Sequence, residues 1–154
     1  MKTIILTPAL IVLTQLAFTD ARAVDPALPI TPGMYTVTST TSSSLNPDPD
    51  TKVMDVCIDK QVLDPGSYLP KVAQCSLENV KKNGNKASFD IDCKSGESSS
   101  GQPGLPEMTG KGECVTEETE HQCHFKMVGT VQGKEFIIDS MREGRRIGEC
   151  PDLE

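Results

Sequence analysis

Alternation of apolar and polar residues is the dominant pattern of this chain, and it predicts strands. The clearest run is Ala87, Phe89, Ile91 and Cys93 alternating with Ser88, Asp90 and Asp92. That period of two marks a strand with one buried face. Met34 to Thr40, rich in threonine and valine, reads as a first strand, and Lys52 to Ile58 as a second. Three more are expected over Met108 to Thr116, His121 to Val131 and Lys134 to Arg142, with Gln132-Gly133 as the tight turn between the last two. Between the strands, Thr41 to Asp50 reads as a polar loop, because it holds Ser42-Ser43-Ser44, Pro47 and Pro49. Lys94 to Pro106 is a Gly/Ser/Pro loop and the segment expected to be most mobile. Asp59 to Leu63 reads as one helical turn, capped by Asp59 and stopped by Asp64-Pro65-Gly66. No internal repeat and no long amphipathic helix is present. The expectation is an all-β fold, an antiparallel meander forming a curved sheet or partial barrel with one short helical turn.

The N-terminus breaks this pattern. Met1-Lys2 is followed by a mostly apolar run from Ile4 to Phe18, and then by Ala21-Arg22-Ala23. A short positive start, an apolar stretch and an A-x-A site are the parts of a cleaved signal peptide. The run is shorter than the roughly 20 apolar residues a bilayer requires and is interrupted by Pro8 and Gln15. Cleavage after Ala23 is expected, giving a periplasmic or secreted protein without stable membrane insertion. The organisation is then a signal peptide over 1–23, a Pro-rich lead-in over 24–32, one β-rich domain over 33–150 and a tail over 151–154.

Charge and size narrow the partners. The leader carries Lys2, Arg22 and Asp20, so its removal takes the formal net charge from −7 to −8. An acidic domain of that balance is repelled by nucleic acid and by anionic membrane surfaces. Phe18 leaves with the leader, so Phe89, Phe125 and Phe136 are the phenylalanines available to the core. A modest core normally needs reinforcement.

Six cysteines supply it: Cys57, Cys75, Cys93, Cys114, Cys123 and Cys150. An even set behind a signal peptide reads as a disulfide framework. The midpoint of Cys75 and Cys93 is Gly84, within the Asn83-Gly84 turn signal. A hairpin closed around a three-residue loop would set those two cysteines opposite each other, within disulfide reach. Cys114 and Cys123 flank an acidic turn centred between Glu118 and Thr119, so they too are expected to face each other. Cys57 and Cys150 remain, and the long loop they close would contribute roughly 4–5 kcal/mol in the chain-entropy account.

In order along the chain stand Gly33-Met34-Tyr35-Thr36-Val37-Thr38, Val56-Cys57-Ile58, Cys75-Ser76, Phe89-Asp90-Ile91-Asp92-Cys93 and Gly144-Arg145-Arg146-Ile147-Gly148-Glu149-Cys150. This ordered set resembles the small exported proteobacterial proteins grouped as domain-of-unknown-function family 3617, over about residues 33 to 150. Members typically show a tryptophan near the first strand where this chain has Tyr35, and Cys114 and Cys123 are an addition to a four-cysteine pattern. The resemblance implies export and a β-rich fold, and it implies no activity.

Candidate chemistry is sparse. His121 and His124 flank Cys123, with Cys114 near, and Cys with His at that density can bind zinc or copper. Strand periodicity opposes this, since it turns His121 and Cys123 to one face and His124 to the other. Glu113, Glu117, Glu118 and Glu120, or Asp48 and Asp50, lack the spaced oxygens of a calcium loop. Arg142, Arg145 and Arg146 form a basic cluster able to meet a carboxylate, a phosphate or an acidic partner, although pairing with the domain's own acids is the simpler reading. No G-x-S-x-G elbow occurs, and the serines crowd polar loops. The expected function is therefore a non-enzymatic envelope factor without a cofactor, binding a small ligand or another envelope protein. The alternative is a metal-binding protein or metalloenzyme built on Cys114, His121, Cys123 and His124.

Overall fold

The computed structural model describes residues 24–70, 74–95 and 106–151. The expected signal peptide over 1–23, most of the Lys94–Pro106 loop and most of the tail lie outside the described residues. In chain order the strands are β1 (Leu28–Pro29), β2 (Gly33–Ser43), β3 (Asn46–Ile58), β4 (Val62–Leu63) and β5 (Gln74–Asn83). They continue with β6 (Lys86–Lys94), β7 (Met108–Thr116), β8 (Glu120–Val131) and β9 (Lys134–Gly148). Seven of them form one antiparallel sheet in the order β3-β2-β9-β8-β7-β6-β5. Strands β5 to β9 are the expected meander, and the β2–β3 hairpin joins it through β9. The sheet stays open, with β3 and β5 as its edges.

Alternation divides the sheet into two unlike faces. Tyr35 and Val37 of β2, Phe89 and Ile91 of β6, Phe125 and Met127 of β8, and Phe136 of β9 are buried on one side. A thin second layer covers that face: β1 pairs with β4, and Leu28, Ile30, Leu63 and Leu69 enter the same core. At roughly 25 cal/mol per Å² of apolar surface removed from water, this shared core is the main source of stability. The strands turn Ser88, Asp90, Lys111, Glu113, His124 and Lys126 the other way, which is why the sheet needs only one covering layer.

Three disulfides staple the fold: Cys57–Cys150, Cys75–Cys93 and Cys114–Cys123. The first ties edge strand β3 to the residues after β9. The hairpin that brings Cys75 to Cys93 is built differently from the expected three-residue loop. Its loop is Gly84–Asn85 alone, with Gly84 at φ 59° as a first loop position of this kind requires. That register by itself would set Cys75 opposite Lys94. A bulge between Glu78 and Lys81, with Asn79 at φ 49°, supplies the extra residue that moves Cys75 opposite Cys93. Asn79 Nδ2 donates to Asp90 Oδ2 at 2.7 Å and holds the bulge across the strand pair.

Two further expectations are corrected. The supposed loop over Thr41–Asp50 is strand on both sides of a tight turn at Ser44-Leu45. Pro47 and Pro49 are compatible with this because β3 is an edge. Two residues apart, they share one backbone direction and can both turn their missing N–H outward. The helical turn expected over Asp59–Leu63 is absent, since Val62 and Leu63 pair with β1. A 3-10 turn stands instead at Pro65–Tyr68, where Asp64 caps it by accepting from the Gly66 amide at 2.9 Å. Asp64-Pro65 is an N-cap followed by proline at the first helical position, a start signal read as a stop.

Candidate functional site

The expected basic cluster is dispersed by strand parity. Arg142 and Arg146 of β9 share the covered face, while Arg145 turns to the other. Arg145 pairs with Glu120 at 3.1 Å, and both are exposed. Arg146 donates through Nε to the Pro32 carbonyl at 2.9 Å and also pairs with Glu149, so it ties the lead-in to the end of β9. Arg142 alone meets no carboxylate among the described residues.

The metal reading loses its ligand set. Cys114 and Cys123 are joined to each other and buried, so neither offers a thiolate. His121 lies in the core, and His124 turns to the polar face, where Nε2 meets Asp139 Oδ1 at 2.8 Å. No group of three or more His, Cys, Asp or Glu side chains placed to hold a metal occurs among the described residues. The acidic candidates are scattered too: Asp50 pairs with Lys52 at 3.0 Å, and Glu120 with Arg145.

What the fold does assemble is a group centred on Tyr68, a residue the sequence did not single out. The 3-10 turn after Asp64 carries Tyr68 over the sheet, where its hydroxyl lies 2.6 Å from His121 Nε2 and its ring stacks on the imidazole, 17° from parallel. The guanidinium carbon of Arg142 sits 4.9 Å above the same ring, a cation–π contact. Burial lowers the His121 pKa to about 4, so the ring is neutral at pH 7. Burial raises the Tyr68 pKa to about 12, opposed in part by the Arg142 charge, so the phenol keeps its proton. Burial also lowers the pKa of Arg142, with Tyr68 acting the other way, but an arginine remains charged. One positive charge is thus held beside two neutral rings.

Two polar atoms in this group are buried without a hydrogen-bond partner among the described residues: His121 Nδ1 and Arg142 Nε. Either imidazole tautomer serves the Tyr68 contact, so His121 Nδ1 is left over in both. Beside Arg142 is a cavity of about 220 Å³ walled by Tyr68, Met108, Phe125, Met127, Ile138 and Ser140. Its lining is apolar apart from the Arg142 head and the hydroxyls of Ser140 and Thr41, which bond each other at 3.0 Å. An apolar hollow with a few converging polar groups has the make-up of a small-ligand site. It offers no paired nucleophile and base. Larger depressions lie at the polar face of the sheet, one of them bounded by Lys111, Glu113, His124 and Lys126. Of those side chains His124 pairs with Asp139, and none carries a buried unpartnered donor, so the cavity beside Arg142 is the stronger candidate.

The signal that could have found this group was strand parity. Spacings of two and four from Arg142 put Gly144 and Arg146 on its face, and the odd spacing removes Arg145. Nothing periodic marks Tyr68, which follows Pro65-Gly66-Ser67 in a segment of irregular pattern.

A family model described as "Protein of unknown function (DUF3617)" matches residues 30–150. No curated protein and no solved structure matches the chain.

Proposed function

For this chain, which belongs to the DUF3617 family, we propose a role as an exported, non-enzymatic binding protein of the cell envelope that holds a small ligand against the covered face of its sheet. The observation that carries this reading is Arg142, a cation without a carboxylate partner among the described residues, at the wall of the 220 Å³ apolar cavity. A ligand oxygen that accepts from the guanidinium in that hollow gains a hydrogen bond to a charged group, worth about 1.5–3 kcal/mol. Export is supported by the leader-like residues before Val24 and by three disulfides, which persist in oxidising compartments. A non-enzymatic role is supported by the neutral, buried state of His121 and by the pairing of every described cysteine. The acidic balance favours a small ligand or an envelope protein as partner over nucleic acid.

The test is an amide NMR titration of the oxidised mature protein with small six-carbon compounds. Shifts clustered at Tyr68, Phe125, Met127 and Arg142 are expected. Shifts spread over the polar face, or none at all, would overturn the cavity as the binding site.

A further inference from the structure

Resting on that reading, the geometry points to the chemical class of the ligand: a small monocarboxylate with a compact apolar body. Three observations carry it. The first is charge. Arg145 and Arg146 have carboxylate partners in Glu120 and Glu149, whereas Arg142 faces only a phenol ring, so its charge is uncompensated among the described residues. A planar guanidinium held on an aromatic face is set up for the flat, two-oxygen head of a carboxylate, which it meets through parallel N–H donors.

The second is polarity. Past the Arg142 head the cavity wall is Phe125, Met127, Ile138 and Met108, so a ligand needs an anionic end and a non-polar remainder. A free phosphate or a sugar acid would leave its polar edges against methionine and phenylalanine without partners. Methionines suit such a wall, because their unbranched side chains adapt to ligands of slightly different outline.

The third is size. A cavity of about 150 Å³ takes a benzene ring, and this one measures about 220 Å³. One ring with a short linker fits, or an acyl chain of medium length, but not the long tail of a membrane lipid. The Ser140 and Thr41 hydroxyls, bonded to each other at 3.0 Å, can turn toward a carboxylate oxygen without either being lost to an apolar contact.

The experiment compares hexanoate, hexan-1-ol and hexylamine binding to the oxidised mature protein by amide NMR, with Arg142→Gln as the variant. Hexanoate is expected to bind at least tenfold tighter than hexan-1-ol, with hexylamine the weakest. Arg142→Gln is expected to remove the difference between hexanoate and hexan-1-ol. Should the variant not fold, the order of the three compounds on the wild-type protein decides by itself. Equal binding of hexanoate and hexan-1-ol, with shifts in the cavity, would overturn carboxylate recognition and leave the binding role intact. No shift at the cavity with any of the three would overturn both.

Discussion

The imidazole of His121 lies across the position where Gly144 would carry a side chain. The two residues face each other in the β8–β9 ladder, and a methyl group on Gly144 would collide with the ring at Cε1. An aromatic ring from one strand lying over a glycine on the next keeps the sheet continuous where a pair of side chains would collide. It also fixes the imidazole where Tyr68 can reach it.

Gly144→Ala is therefore expected to destabilise the protein by about 1–3 kcal/mol, the usual range for overpacking a filled site. Urea unfolding of the oxidised protein measures this. The amide of Arg142 should shift as well, because the displaced ring pushes on Tyr68. A midpoint equal to wild type would show that the ring moves aside at no cost.

His121 gives a pH dependence whose direction follows from burial. Its folded pKa is about 4 against an ordinary 6.5, so the unfolded chain takes up the proton first as pH falls. The stability tied to the neutral ring is complete above about pH 6.5 and drains away toward pH 4. Carboxylates join in at the acid end, so the clean window is about pH 6.5 to 5. Denaturant midpoints across that window should fall for the wild type and stay flatter for His121→Gln, whose amide can still meet the Tyr68 hydroxyl. Parallel slopes in the two proteins would assign the acid lability elsewhere.

These two cases show what was legible in the sequence. Alternation from Ala87 to Cys93 marked β6 and its buried face, and Met108 to Thr116 was legible as the strand β7. Symmetric spacing about Gly84 paired Cys75 with Cys93, although a bulge at Asn79 does part of what the loop was expected to do. Asn46–Asp50 misled because an edge strand buries little on either side, so its composition resembles a loop. The cavity was invisible because Tyr68 reaches it from a segment separated from His121 by 53 positions. Local periodicity carries no information about which side chain arrives from above.

The edge location of Pro47 and Pro49 leads to another expectation. An unpaired edge invites pairing with a second chain, and proline blunts it by withholding donors. Pro47→Thr with Pro49→Thr should raise the tendency of β3 to self-associate. Sedimentation velocity over a range of concentrations reads this as a steeper rise in mean sedimentation coefficient than in the wild type. Indistinguishable profiles would mean that the charged side chains of β3 suffice.

The disulfides should rank by the length of chain they enclose. Cys57 and Cys150 are 93 positions apart and Cys75 and Cys93 are 18 apart. In the chain-entropy account the longer loop contributes about 1.5 kcal/mol more. Paired Cys→Ala variants at the two sites, compared by urea unfolding, test the ranking. A larger loss at Cys75/Cys93 would place the greater effect in the folded hairpin and its bulge.

The same long bridge also decides how the molecule bears tension. A pull on Val24 and Pro151 runs through β1, β2 and β3, then crosses from the Cys57 sulfur to the Cys150 sulfur. Residues 58–149 lie off that load path, so the meander from β5 to β9 can be peeled from its neighbours but not drawn out straight. The described chain behaves under load as a short tether with a knot-like bead. Only reduction of that one bond would let a force applied at both ends extend the bead.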